Sequence, residues 1–293
     1  MSPALLAVAS AVLWAVSALV VSRGLALLPA NRAAAMILGL VIALVSGSTL
    51  LLLAFGSTLR PTDVSAPVVV AGLLTFPMAT GAYYVASVAF RGRAEVAAQF
   101  SQIKPVISVL LGAFLLSEPL HSTSWMSLAF VASGIALLIA AQRRGHVSAI
   151  AIVLGLALAT AWATGEVAVA FGADPARGIQ QTTVALVAGT LAGLVIAVPA
   201  LAVIGWPAPG KWMLFFALHG LLSFATAYAF YFQAIREIGV ASTALINAFW
   251  PMLSLVLGRM LAVRYAGREP IPMLVWVAAI LLLGGSLAAI WGT

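Results

Sequence analysis

The 293-residue chain has no cysteine, only seven acidic residues and three histidines, and just 7% charged residues in all. Without thiols there can be no disulfide framework, thiolate metal site or cysteine nucleophile. An ordinary soluble domain is roughly 25% charged, so this chain cannot cover a water-facing surface, and a soluble enzyme is excluded. GxxxxGK[ST], HExxH, GxSxG and clustered carboxylates are absent too, leaving no signature for nucleotide hydrolysis or for the common hydrolases. His121, His146 and His219 stand far apart, so no metal centre and no cofactor are expected. The net charge of +7 comes from arginines scattered singly or in pairs. That is not the stripe a nucleic acid needs.

What is present is apolar: 64% hydrophobic residues and a mean hydropathy of +1.17. A helix crossing hydrocarbon needs about 20 mostly apolar residues, and ten such runs fit, near 3–22, 33–55, 66–90, 94–116, 123–141, 148–171, 182–204, 211–235, 240–261 and 271–291. Connections such as Arg60-Pro61-Thr62-Asp63 and Ser117-Glu118-Pro119 are too short to hold a further domain. The first run has no basic residues before it and is expected to be an uncleaved helix. Runs of Leu, Ala and Val without alternation argue against a β-barrel.

The second half repeats the first. Trp14 corresponds to Trp162; Tyr83, Ala89 and Arg91 to Tyr228, Ala234 and Arg236; Pro105, Ser108 and Gly112 to Pro251, Ser254 and Gly258. Glu118-Pro119 corresponds to Glu269-Pro270, and Trp125 with Gly134 to Trp276 with Gly285, at offsets of 145 to 151 residues. The expected units are 1–145 and 146–293. Five crossings per copy would bring the second copy into the membrane from the opposite side. The expected fold is therefore an all-α membrane protein of ten helices, two inverted five-helix repeats around a central cavity, an arrangement suited to alternating access. A duplicated bundle with only a structural role is the plainer alternative.

Ten of the 14 basic residues fall on the connections after the odd-numbered runs. The positive-inside rule makes that side cytoplasmic, so both termini are expected to face away from the cytoplasm.

Few strongly polar groups lie inside the runs. Lys104 is near the middle of one, where a cation costs about 2.5–3.5 kcal/mol. It must face a wet cavity or a partner, as a substrate ligand or as a structural cation on helix-end carbonyls. Ser101, Lys104, Ser108 and Gly112 share one helix face; the repeat-related face is Asn247, Trp250, Ser254 and Gly258. Lys104 opposite the Trp250 indole suits a zwitterion with an apolar side chain. Glu166 is either a snorkelling interfacial carboxylate or a proton carrier. His219 is expected to bond between helices, with proton coupling as the alternative, so the candidate coupling groups are Glu166, His219 and Lys104. Gln99, Gln102 and Gln233 either line the cavity or tie helices. Trp14, Phe76, Tyr83, Trp162, Tyr228 and Trp250 are candidate cavity walls alongside Phe224 and Tyr231. Trp125, Trp206, Trp212, Trp276 and Trp291 are expected in the interfacial belt. Pro77, Pro105 and Pro251 are candidate hinges.

Two copies, each with Trp in the first helix, a Tyr-containing third helix ending in Ala and Arg, a Pro-containing fourth helix, Glu-Pro after it and Gly in the fifth, resemble the EamA-type branch of the drug/metabolite transporter superfamily. The aromatic character is most similar to the bacterial aromatic amino acid exporters. The resemblance implies a basket of helices with a central substrate cavity and peripheral fifth and tenth helices. It also implies export of aromatic or hydrophobic amino acids, or related metabolites, across the bacterial inner membrane. Expected partners are the small-molecule substrate and the lipid bilayer, with a monomer compatible with the sequence. An exporter of other metabolites or drugs is the alternative, and an intramembrane lipid-handling protein or enzyme is the alternative from another class.

Overall fold

A computed structural model describes residues 2–89, 103–142, 149–172, 174–261 and 273–292. Every regular element among them is helical. Most peptide groups are thereby paired within their own segment, as hydrocarbon requires. The elements are α1 (Pro3–Ala26), α2 (Arg32–Phe55), α3 (Ala66–Leu73), α4 (Thr80–Ala89), α5 (Lys104–Leu115), α6 (Ser122–Gln142), α7 (Ala149–Phe171), α8 (Gly178–Ile204), α9 (Trp212–His219), α10 (Tyr228–Asn247), α11 (Trp250–Leu261) and α12 (Met273–Trp291).

Seven helical stretches among the described residues are long and apolar enough to cross a membrane, and two shorter apolar ones accompany them, Lys104–Leu115 and Ser122–Leu137. One of the seven, Trp212–Gly258, is 47 residues long. Straight, it would extend about 70 Å, over twice the ~30 Å hydrocarbon core. Gly239 breaks it, with φ 83° and ψ 168°, backbone that L side chains rarely adopt.

Two breaks of a different kind recur at matching places. A wide-turn π segment, Leu74–Ala79, joins α3 to α4 and contains Pro77; another, Gly220–Ala227, joins α9 to α10. In each, a threonine hydroxyl donates five residues back, Thr80 to the Thr75 carbonyl at 3.3 Å and Thr226 to the Leu221 carbonyl at 2.9 Å. The extra residue in such a turn leaves carbonyls that a hydroxyl can satisfy. Pro77 thus sits in a widened turn. Pro105 and Pro251 open α5 and α11 in the first turn, where a missing N–H costs little.

Contacts between these rods depend on glycine. A Cβ on Gly72 of α3 would stand 2.0 Å from the Ala185 carbonyl of α8, and one on Gly220 would stand 2.0 Å from the Ala43 carbonyl of α2. Backbone meets backbone at both places, the close approach that small residues permit in lipid. Gly72→Ala and Gly220→Ala are each expected to destabilise by about 1–3 kcal/mol through overpacking. Thermal denaturation of the purified variants checks this, and two neutral substitutions would contradict the packing.

Away from that centre, α6 and α12 pack on each other. Gly134 faces Leu282 and Ala278, Gly285 faces Val131 and the Ser127 carbonyl, and the Ser127 hydroxyl donates to the Gly285 carbonyl at 2.6 Å. Trp212 departs from expectation. It is 2% exposed, T-stacked on Phe216 with its indole N–H on the Ala208 carbonyl, because the turn before α9 folds the ring inward. Trp125, Trp206, Trp276 and Trp291 are at least 44% exposed.

Candidate functional site

Trp14 and Ala18 of α1, Thr80 and Tyr83 of α4, Lys104 of α5, Trp162 of α7, His219 of α9, Ser223 and Phe224 of the second π segment, Tyr228 of α10 and Trp250 of α11 surround a cavity. Its volume is about 30 Å³, room for about two waters. The space left between the rings is narrow.

Its polar corner is an ion pair. Lys104 donates to Glu166 Oε1 at 2.5 Å and to the Tyr231 hydroxyl at 3.1 Å, while Ser108 donates to Glu166 Oε2 at 2.5 Å. Lys104 and Ser108 lie one turn apart on α5, so both meet one carboxylate on α7. Both charged side chains are buried, at 6% and 3% exposure. Lys104 Nζ also lies 5.4 Å from the Trp14 ring centroid, within cation–π range. Glu166 therefore does not snorkel; the helix carries it to the depth of Lys104, where hydrogen bonds satisfy both its oxygens. Breaking such a pair by removing one partner costs about 3–5 kcal/mol.

Aromatic rings form the remaining wall. Trp14 stands 4.8 Å from Tyr228, 4.9 Å from Tyr231 and 6.1 Å from Trp250, and Tyr83 stands 6.1 Å from Trp162. The Trp162 indole donates to the Thr75 carbonyl in the first π segment at 3.2 Å. His219 Nδ1 and the Ser17 hydroxyl share a 2.6 Å hydrogen bond, and Nε2 has no partner among the described residues. The expected interhelical bond is present.

Other sequence candidates sit elsewhere. Phe76 is fully buried behind the wall against Phe224, Tyr228 and Phe232. Asn247 bonds the Ala7 carbonyl and Ser10 Oγ, tying α10 to α1, and Ser254 donates to its own helix at Pro251. Gln233 bonds Glu237 outside the chamber. Gln99, Ser101 and Gln102 lie outside the described residues. Thr80, Ser223 and Ser17 were not anticipated; hydroxyls are too common in apolar helices for pattern alone to single them out.

One end of the bundle is laced across the two halves of the chain. Arg177 donates through Nε and Nη2 to Asp63 at 2.9 and 2.6 Å, and Nη2 also reaches the Thr58 carbonyl at 2.7 Å. Glu118 accepts the Val240 and Ala241 amides at 2.7 and 2.8 Å, capping the helix restarted after Gly239. A Cβ on Gly112 or Gly239 would stand 2.8 or 2.9 Å from a Glu118 oxygen, so glycines clear the path of that side chain. The Arg177 hydrogen bonds, opposed by burial and aided by the Arg60 amide, hold the Asp63 carboxyl below its ordinary value of 3.8. A depressed carboxyl stabilises above its unfolded value and loses that contribution as pH falls through the folded value. Below about 3.8 the melting temperature of the wild type should therefore fall more steeply than that of Asp63→Asn. Parallel slopes would contradict the linkage.

A bundle of helices long and apolar enough to cross a membrane thus holds a buried ion pair beside an aromatic chamber. The chain belongs to the EamA-like transporter family, whose model matches residues 1–140 and 149–291. It is a multi-pass membrane protein of a family that transports small metabolites. No curated protein matches. A solved structure titled "Crystal structure of protein" is similar over 99% of this chain and 96% of its own, at 19% identity and a TM-score of 0.71. At that identity the likeness shows the fold alone.

Proposed function

We propose that the chain exports aromatic or other hydrophobic amino acids across the bacterial inner membrane by alternating access of two inverted five-helix halves, 1–145 and 146–293. Several features support the inversion. The family match falls in two stretches, the π segments occupy corresponding places, and Gly134 and Gly285 each pack on the other half's helix. With ten crossings, the surplus of Lys and Arg on the opposite connections favours an external position for the laced end. The outer mouth is then the closed one.

The observation that carries the reading is Lys104 held at an aromatic chamber. Its ammonium takes the substrate carboxylate, and Trp14, Tyr83, Trp162, Tyr228 and Trp250 take the side chain. At ~30 Å³ the chamber must expand to admit an amino acid. The halves rocking apart, with Pro77 and the π segments as flexible joints, supply that expansion.

Purified protein in liposomes loaded with labelled Phe, Trp, Thr or a sugar nucleotide tests this. Saturable flux of Phe or Trp is expected. Flux of the sugar nucleotide alone would move the substrate class, and absence of saturable amino acid flux would end the reading.

A further inference from the structure

Among the described residues, Lys104 is the charged side chain lining the chamber, and its ammonium is paired with Glu166 behind that wall. A lone cation for a carboxylate would suffice to bind an anion. The structure supplies instead one cation at the cavity and one anion bonded to it from a second helix. Ser108 holds the far oxygen of Glu166, so the carboxylate keeps its direction when Lys104 moves off.

We propose, resting on the transport reading above, that Glu166 is the second substrate ligand and that its pairing with Lys104 is what lets the emptied carrier return. The substrate's carboxylate replaces Glu166 on Lys104, and its ammonium replaces Lys104 on Glu166. The chamber is electrically neutral when empty and neutral when holding a zwitterion. A carboxylate without an amine leaves Glu166 unmatched, and an amine without a carboxylate leaves Lys104 unmatched. Both are excluded by the cost of an unpaired charge in a dry chamber.

Neutrality also bears on the cycle. A carrier whose site bears a net charge when empty is held back from reorienting unloaded, because the charge must pass through the occluded state without a partner. Such a carrier exchanges one substrate for another. A site that closes on its own ion pair can release substrate and swing back, giving net efflux without a counter-substrate. No proton or ion needs to move with the substrate.

The experiment uses the full chain in liposomes preloaded with labelled Phe. Net efflux into substrate-free buffer is compared with exchange against external Phe, and phenylpropionate and phenethylamine are tested as competitors. Wild type should show comparable net efflux and exchange, with neither singly charged analogue competing. Glu166→Gln leaves one unmatched positive charge with or without Phe bound, so it should lose both net efflux and exchange of Phe by on the order of 100-fold and should gain saturable flux of phenylpropionate, whose single charge Lys104 alone can match. Obligatory exchange by the wild type, or competition by either analogue as strong as that of Phe, overturns the proposal. So does a Glu166→Gln variant with unchanged Phe flux and an unchanged ranking of substrates. If Glu166→Gln does not survive purification, the wild-type measurements decide. Absence of flux for any amino acid overturns the transport reading itself, a different result from Phe moving only by exchange.

Discussion

Lys104→Met should abolish flux and lower stability by about 3–5 kcal/mol, whereas Lys104→Met combined with Glu166→Leu should restore most of the stability and none of the flux. The single change leaves the Glu166 carboxylate buried without its cation, still held by Ser108. The double change replaces the pair with apolar groups, and such replacements are often neutral or stabilising. Here the alternative to the pair is hydrocarbon on every side, and the pair earns its place only if the chamber uses it. The comparison separates a structural cation from a functional one. Were Lys104 structural, the double variant would fold and transport. Were the pair absent from the native state, the single variant would melt like wild type. Thermal inactivation in detergent and Phe flux in liposomes, on the same three proteins, check both halves of the prediction.

The core of this site was half legible. Lys104 stood out because a cation amid apolar residues is expensive wherever the helix points. Its partner did not, because Glu166 lies 62 residues away near the apparent end of an apolar run, and hydropathy gives no depth within a run. Packing sets that depth: a Cβ on Gly165 would stand 2.3 Å from Thr75 Oγ1, so α7 presses on the first π segment and is thereby seated in the bundle. The aromatic candidates divided for a similar reason. Trp14, Tyr83, Trp162, Tyr228 and Trp250 line the chamber while Phe76 stands behind it, and which face of a widened helix looks inward depends on a turn that periodicity at 3.6 residues misplaces. Helical character was plain from composition, and the gap between the runs at 211–235 and 240–261 already held Gly239, whose φ of 83° divides the 47-residue helical stretch.

Glu118→Ala is expected to open the laced end. The carboxylate marked the repeat in the sequence, yet its work is tertiary: it stops two backbone amides at Val240 and Ala241 from going unsatisfied, across a seam between the halves. Each such loss costs about 1–3 kcal/mol, and the loss falls on the closed arrangement, where the two groups meet. A closed state weakened by about 2 kcal/mol raises the open population on the order of 30-fold. The absence of cysteine makes this directly measurable, since Ser223→Cys places a single thiol at the chamber, 4% exposed in the closed form. A membrane-impermeant maleimide should label it many times faster when Glu118→Ala is added. Glu118→Gln, keeping one acceptor oxygen and losing the charge, should fall between. Asp63 and Arg177 still bridge the same end in these variants, so adding Asp63→Asn should increase labelling further. Equal labelling in all four proteins would show that these contacts decorate a mouth that something else keeps shut.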